Sequence, residues 1–212
     1  VAIRGYSEEG WLEAMPFPLF LYSGVIFYFF MCDCMAESMA SVQRDAGMMS
    51  KIFYPRMISP IVPLFSNLVE FGFSMLPLIF IMNHFEVLPG WNFMLLPLVL
   101  FLGMIGALAI GLIFAALTLE KRDWSQVFSL LLYVGLFASP IFTSFRILPE
   151  NVHRIAVWNP AVGLLGGFRA ALDRDAIFPW NHFGISAIMI MILLTIGVSL
   201  FYRMQRSLLE KL

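Results

Sequence analysis

Charge is scarce in this sequence. Only 13% of its 212 residues are Asp, Glu, Lys or Arg, against about a quarter in soluble domains, and 60% are hydrophobic. That balance excludes an ordinary soluble domain. The formal net charge of -1 excludes a broad basic surface able to neutralise phosphates, so nucleic acid is not an expected partner. Cysteine is limited to Cys32 and Cys34, two apart in an apolar stretch, so on a helix they point in different directions and cannot form a normal disulfide. His84, His153 and His182 fall in predicted loops far from these thiols, and no metal site is expected. No Gly-rich phosphate loop with a following Lys-Ser or Lys-Thr occurs, nor any nucleophile-elbow or zinc-helix motif. The chain is therefore not expected to be an enzyme or to hold a nucleotide itself. It begins with Val1, with no basic region followed by a short apolar stretch, and reads as a chain whose true start is missing.

What the sequence has is long apolar runs. A spanning helix needs about 20 largely apolar residues, each adding about 1.5 Å across a hydrocarbon core about 30 Å thick. Five segments meet that test: Ala14 to Cys32, continuing helically toward Arg44; Met57 to Asn83, interrupted only by Glu70; Val87 to Leu119; Ser125 to Phe145; and Phe183 to Tyr202. None shows strict alternation, and backbone groups in lipid must be paired within the segment, so the segments are helices and not barrel strands. Arg44, Lys51 and Arg56 lie between the first two, Lys121 and Arg122 between the third and fourth, and Arg203, Arg206 and Lys211 after the fifth. Positive loops stay inside, so these regions are expected to be cytoplasmic. Parity then places Val1 outside and predicts a sixth helix before it.

One long connection, residues 146–182, remains on the opposite side. Within it "PENVHRIAVWNP" opens on Pro149, in the favoured first position of a helix, and stops before Pro160, while "AVGLLGGFRAAL" offers a second short helix. Neither is long enough to span. Two short helices entering the outer leaflet or capping a pore fit the pattern, and so does an ordinary folded loop.

Polar side chains inside the spans are few. Asp33 and Glu37 share a face with Ser41 and Arg44 toward the cytoplasmic end of the first span, where they can line a hydrated entrance or pair and snorkel at the interface. Glu70 sits near mid-span, where a carboxylate costs a few kcal/mol unless paired or hydrated, and Asn67 and Ser74 share its face. A packing network, a hydrated lining and a proton relay each answer that cost. Gly103, Ala107, Gly111 and Ala115 form successive small-xxx-small steps for close helix approach. Aromatics crowd the first span, among them Phe20, Tyr22, Phe27, Tyr28, Phe29 and Phe30. They suit stacking on sugar rings, and equally interface belts and lipid packing.

Seven pieces in order carry a family resemblance: "MPFPLFLYSGVIFYFF", "KIFYPRMISP", "KRDWSQ", "ASPIF", "LPENVHRIAVWNP", "GGFRAAL" and the tail "FYRMQRSLLEKL". Together they resemble the polysaccharide-exporting branch of the ABC-2 permeases, which serves O-antigens, capsules and teichoic acids. The family's N-terminal amphipathic helix and first span have no counterpart here. The resemblance implies an all-α integral membrane protein with five of six transmembrane helices present, plus two short external re-entrant or gate helices between the last two. The whole of residues 1–212 forms a single permease domain that contains the 146–182 gate segment. It further implies a multi-pass protein of the bacterial inner membrane, a homodimer around a channel for lipid-linked polysaccharide. A separate ATPase subunit would bind ATP and magnesium.

By position, Arg44, Asp45, Lys51, Tyr54, Pro55 and Arg56 correspond to the loop facing the ATPase. Pro140, Pro149, Trp158, Asn159, Pro160, Phe168 and Arg169 correspond to the external gate. Lining candidates are Tyr22, Phe27, Tyr28, Phe30, Asp33, Glu37, Asn67 and Glu70. An ABC-2 exporter of a drug or lipid shares this topology. An ion-coupled transporter using Glu70 needs no ATPase, but the inverted repeats that would signal it are not seen. A membrane-bound transferase lacks its clustered polar residues.

Overall fold

The computed structural model describes residues 15–49, 57–121, 123–139, 141 and 158–209, and no strand occurs among them. The first helix, α1 (Phe17–Met49), has 33 residues and runs about 50 Å at 1.5 Å per residue, past the apolar span into the charged stretch ending near Arg44. It is followed by α2 (Ile58–His84), a short 3-10 turn (Trp91–Leu95), α3 (Leu96–Glu120), α4 (Trp124–Ala138), α5 (Pro160–Leu172) and α6 (Trp180–Leu209). Among the described residues, four stretches are long and apolar enough to cross a membrane: Phe17–Asp45, Ile58–His84, Trp91–Leu119 and Trp180–Arg203.

Three boundaries depart from the sequence expectation, each for a local reason. The third span does not begin at Val87, because Pro89 and Gly90 hold the chain out of helix until Trp91. In the fourth predicted segment, α4 ends at Ala138, and residues 142–145 lie outside the described residues. Ser139 is extended (φ -91°, ψ 144°) because Pro140 follows it, and a residue before proline is pushed out of the α region. Its 15 residues reach only about 22 Å. His84 and His182, expected in loops, stand on helices, as the last residue of α2 and near the start of α6.

α1 is the central post. It packs against α2, α3, α4 and α5, while α3 also carries α6 along its other side. The expected small-residue stripe is what lets the helices approach. A Cβ at Gly111 would sit 2.8 Å from Ser38 Cβ and 3.0 Å from the Met35 carbonyl on α1, and one at Gly197 would sit 2.6 Å from the Ala109 carbonyl. Two apolar clusters result. The larger gathers Phe27, Phe30, Phe71, Val99, Leu164 and Phe168; the smaller, at the end bearing the basic residues, gathers Met39, Val42, Leu112, Ala115, Phe128 and Phe201. Hydroxyls on the spans are neutralised locally, as Thr118, Thr195 and Ser199 each donate to the carbonyl four residues back.

Candidate functional site: the face between α1 and α2

α1 and α2 lie antiparallel, joined by Tyr22 Oη donating to the Ser74 carbonyl (3.3 Å) and Ser38 Oγ donating to the Pro60 carbonyl (2.8 Å). Between these two ties the helices leave a cleft of about 170 Å³, lined by Phe29, Asp33, Asn67, Glu70 and Ser74 over a floor of Phe30 and Phe71. Asp33 and Glu70 are exposed on this face and close enough to feel each other's charge. Asn67 is buried, its amide against the Cys34 thiol. Two exposed rings lie on this side, Phe29 (49%) on the cleft wall and Phe73 (68%) one turn along α2 from Glu70.

Of the other lining candidates, Phe30 is buried and only floors this cleft, tilted on Phe71 at 4.7 Å, and Phe27 lies inside the bundle, stacked on Phe168 at 4.8 Å. Tyr28 Oη donates to the Leu132 carbonyl of α4 (2.6 Å). Phe73 was missed in the sequence because aromatics were weighed by their crowding in α1. Its spacing from Glu70, three residues on, was the available signal.

At the basic end, Arg44 Nη2 pairs with Glu37 Oε2 at 2.7 Å across two turns of α1. This pair is exposed, worth about 0.2–1 kcal/mol. Asp45 accepts a hydrogen bond from Ser59 Oγ, joining α1 to the start of α2. Lys51, Tyr54, Pro55 and Arg56 lie outside the described residues, as do Pro140 and Pro149.

At the opposite end, Asn159 caps α5, its Oδ1 accepting from the Ala161 N–H at 3.0 Å, and Pro160 takes the first helical position. Trp158 beside them is exposed (65%). From Val162 to Leu172 α5 is buried on every side, Phe168 and Arg169 included. A helix apolar all round belongs inside a protein, and the unbroken run "AVGLLGG" was the sign of it. Asp173 then closes the helix by accepting from the Asp175 N–H (3.1 Å), and burial holds its carboxyl above the usual carboxylate range. Arg174 N–H donates to the Leu88 carbonyl and Asn92 Nδ2 to the Ala176 carbonyl, which binds the two loops of this end together. Among the described residues no three His, Cys, Asp or Glu side chains are grouped to hold a metal.

The family model for ABC-2 type transporters matches residues 7–172, most of the chain. The chain belongs to the ABC-2 type transporter family. Within it, the chain is 24% identical over 157 residues to the O-antigen export system permease protein RfbA of Myxococcus xanthus, covering 73% of this chain and 60% of that protein. It is 24% identical over 219 residues to the polysialic acid transport protein KpsM of Escherichia coli, covering 99% of this chain and 81% of KpsM. RfbA of Klebsiella pneumoniae is 23% identical over 194 residues, 89% of this chain and 73% of that protein. Membership of this ABC-2 family makes the chain a transport subunit, a multi-pass membrane protein built from apolar helices.

Proposed function

We propose that this chain is the membrane subunit of an ATP-driven exporter that moves lipid-linked polysaccharide outward across the bacterial inner membrane. The observation that carries the reading is the α1–α2 face, where Asp33 and Glu70 stand exposed at membrane depth beside Phe29 and Phe73. A carboxylate at mid-span costs about 2.5–3.5 kcal/mol against lipid, so this face is turned to water or protein. Sugars match the chemistry of such a wall. Their C–H faces stack on aromatic rings, and their hydroxyls donate to carboxylates, in contacts weak enough for a polymer to slide. The names of the relatives, O-antigen and polysialic acid export proteins, support the same class of cargo.

In the assembly we infer, two copies set these faces around one passage. α5, with Asn159, Pro160 and Arg169 at its motif positions, forms the outer gate. The stretch from Arg44 to Arg56 receives the ATPase subunit, which holds ATP and magnesium. Basic and aromatic groups around Pro55 suit that contact, because a guanidinium can pair with acidic groups through two hydrogen bonds. Nucleotide binding then moves the helices as rigid bodies.

Deleting the chain leaves polymer trapped in the cytoplasm, and Arg56→Ala does the same while the ATPase continues to turn over. Normal surface polymer in the deletion strain overturns the cargo, and normal export by Arg56→Ala overturns the docking role. The wall is tested separately by single cysteines in a Cys32→Ala, Cys34→Ala background. Phe73→Cys reacts with a membrane-impermeant thiol reagent, whereas Ile188→Cys on the exposed face of α6 does not. Equal protection of both places the α1–α2 face against lipid and removes the proposal's main support.

A further inference from the structure

Arg169 is 1% exposed, and it holds together three parts of the chain. Its Nη2 donates to the Phe20 carbonyl on α1 (2.9 Å) and to the carbonyl of Ile141, three residues past the end of α4 (3.1 Å). Its guanidinium carbon lies 3.6 Å from the centre of the Phe20 ring. Gly24 makes this arrangement possible, since a Cβ there would overlap Arg169 Nη2 and come within 3.2 Å of Ile141 Cγ2. A buried guanidinium is retained only where hydrogen bonds and pairing offset its desolvation, so the junction has a defined geometry.

We propose that Arg169 is a positioning residue that pins the outer end of α4 to α1, with Gly24 as the notch that admits it. α4 is the helix that needs such a pin. Along its length it is held by the Tyr28 hydrogen bond to Leu132 and by Phe128 tilted on Phe114 at 4.3 Å. Between these contacts and the rest of the bundle lies an apolar cavity of about 220 Å³, walled by Met31, Gly106, Leu131 and Ile190. Its other side is open, with Leu130, Tyr133 and Val134 exposed. Empty volume behind a helix gives it room to swing. The pin therefore fixes where α4 stands at the outer mouth, and releasing it frees α4.

Spin labels at Phe17→Cys and Tyr133→Cys, in the full chain with Cys32 and Cys34 replaced by alanine and diluted with unlabelled chain, report the α1–α4 distance. The parent gives one narrow distribution, and Arg169→Ala broadens and shifts it. Gly24→Ala does the same by crowding Nη2, and so does Arg169→Lys, because a lysine amine ends one atom short of Nη2 and cannot reach both carbonyls. An unchanged distribution in Arg169→Ala or in Gly24→Ala overturns the pin. Should Arg169→Ala not accumulate, Gly24→Ala and Arg169→Lys decide. The readout follows α4 and is indifferent to cargo, so it stands or fails apart from the export reading.

Discussion

Gly163→Leu is expected to remove the protein from the membrane fraction, lowering its level by about tenfold, whereas Gly72→Leu leaves it unchanged. At Gly163 a Cβ would overlap the His182 carbonyl oxygen and Ser186 Oγ, and would stand 2.7 Å from the His182 carbonyl carbon. Two of these atoms are backbone and cannot rotate away. The helix that carries Gly163 is buried on every side, so it cannot retreat either. Extra methylenes in a packed interior cost about 1–3 kcal/mol where side chains can adjust, and more where the obstacle is a neighbouring helix backbone. Against a total stability of about 5–15 kcal/mol, that separates α5 from α6. Gly72 is the control because nothing lies within 4 Å of a Cβ there, although it too is a mid-span glycine. Membrane-fraction blots and the detergent elution profile of both variants check the pair, and equal levels would show that α5 is not a structural wedge.

The contrast between these glycines shows what the sequence could and could not reveal. Long apolar runs declare themselves one residue at a time, because each adds the same transfer energy to lipid, and α1, α2, α3 and α6 appear close to where they were expected. Breaks are also local: Pro89 with Gly90, and Pro140, moved helix ends that a purely hydropathic reading had run through. Arg169 was visible only as a motif residue of an external segment. Its partners, the Phe20 and Ile141 carbonyls, are 149 and 28 residues away, and no periodicity encodes a contact between a side chain and a distant backbone oxygen. The same limit applies to the site. Asp33 and Glu70 could each be flagged as costly in lipid, but that they share one exposed cleft, with Phe29 on its wall, depends on the register of α1 against α2.

That shared face sets stability and transport in opposition. Replacing both acids, Asp33→Leu with Glu70→Leu, is expected to lower polymer export by more than about tenfold while membrane level and resistance to detergent unfolding hold or rise. Glu70 costs about 2.5–3.5 kcal/mol to insert at mid-span and Asp33, nearer the cytoplasmic end, costs less, and neither the Ser74 hydroxyl, which donates to the Glu70 backbone carbonyl, nor the Asn67 amide, which lies against Cys34, returns that energy to a carboxylate. Removing the acids therefore helps insertion and gives a drier surface. A passage lined by Leu beside Phe29 and Phe73 offers sugar rings apolar contact but no acceptor for their hydroxyls, and the polymer must shed water without compensation. Asp33→Asn with Glu70→Gln separates charge from hydrogen bonding: the amides still accept, so export of a neutral glycan is retained. Loss of export in the amide pair as well as the leucine pair points instead to charge itself, as proton or cation coupling through Glu70 requires. If the leucine pair exports normally, the acids do not line the path. If it fails to accumulate, they hold the helices together, and the α1–α2 face is a packing seam in place of a wall.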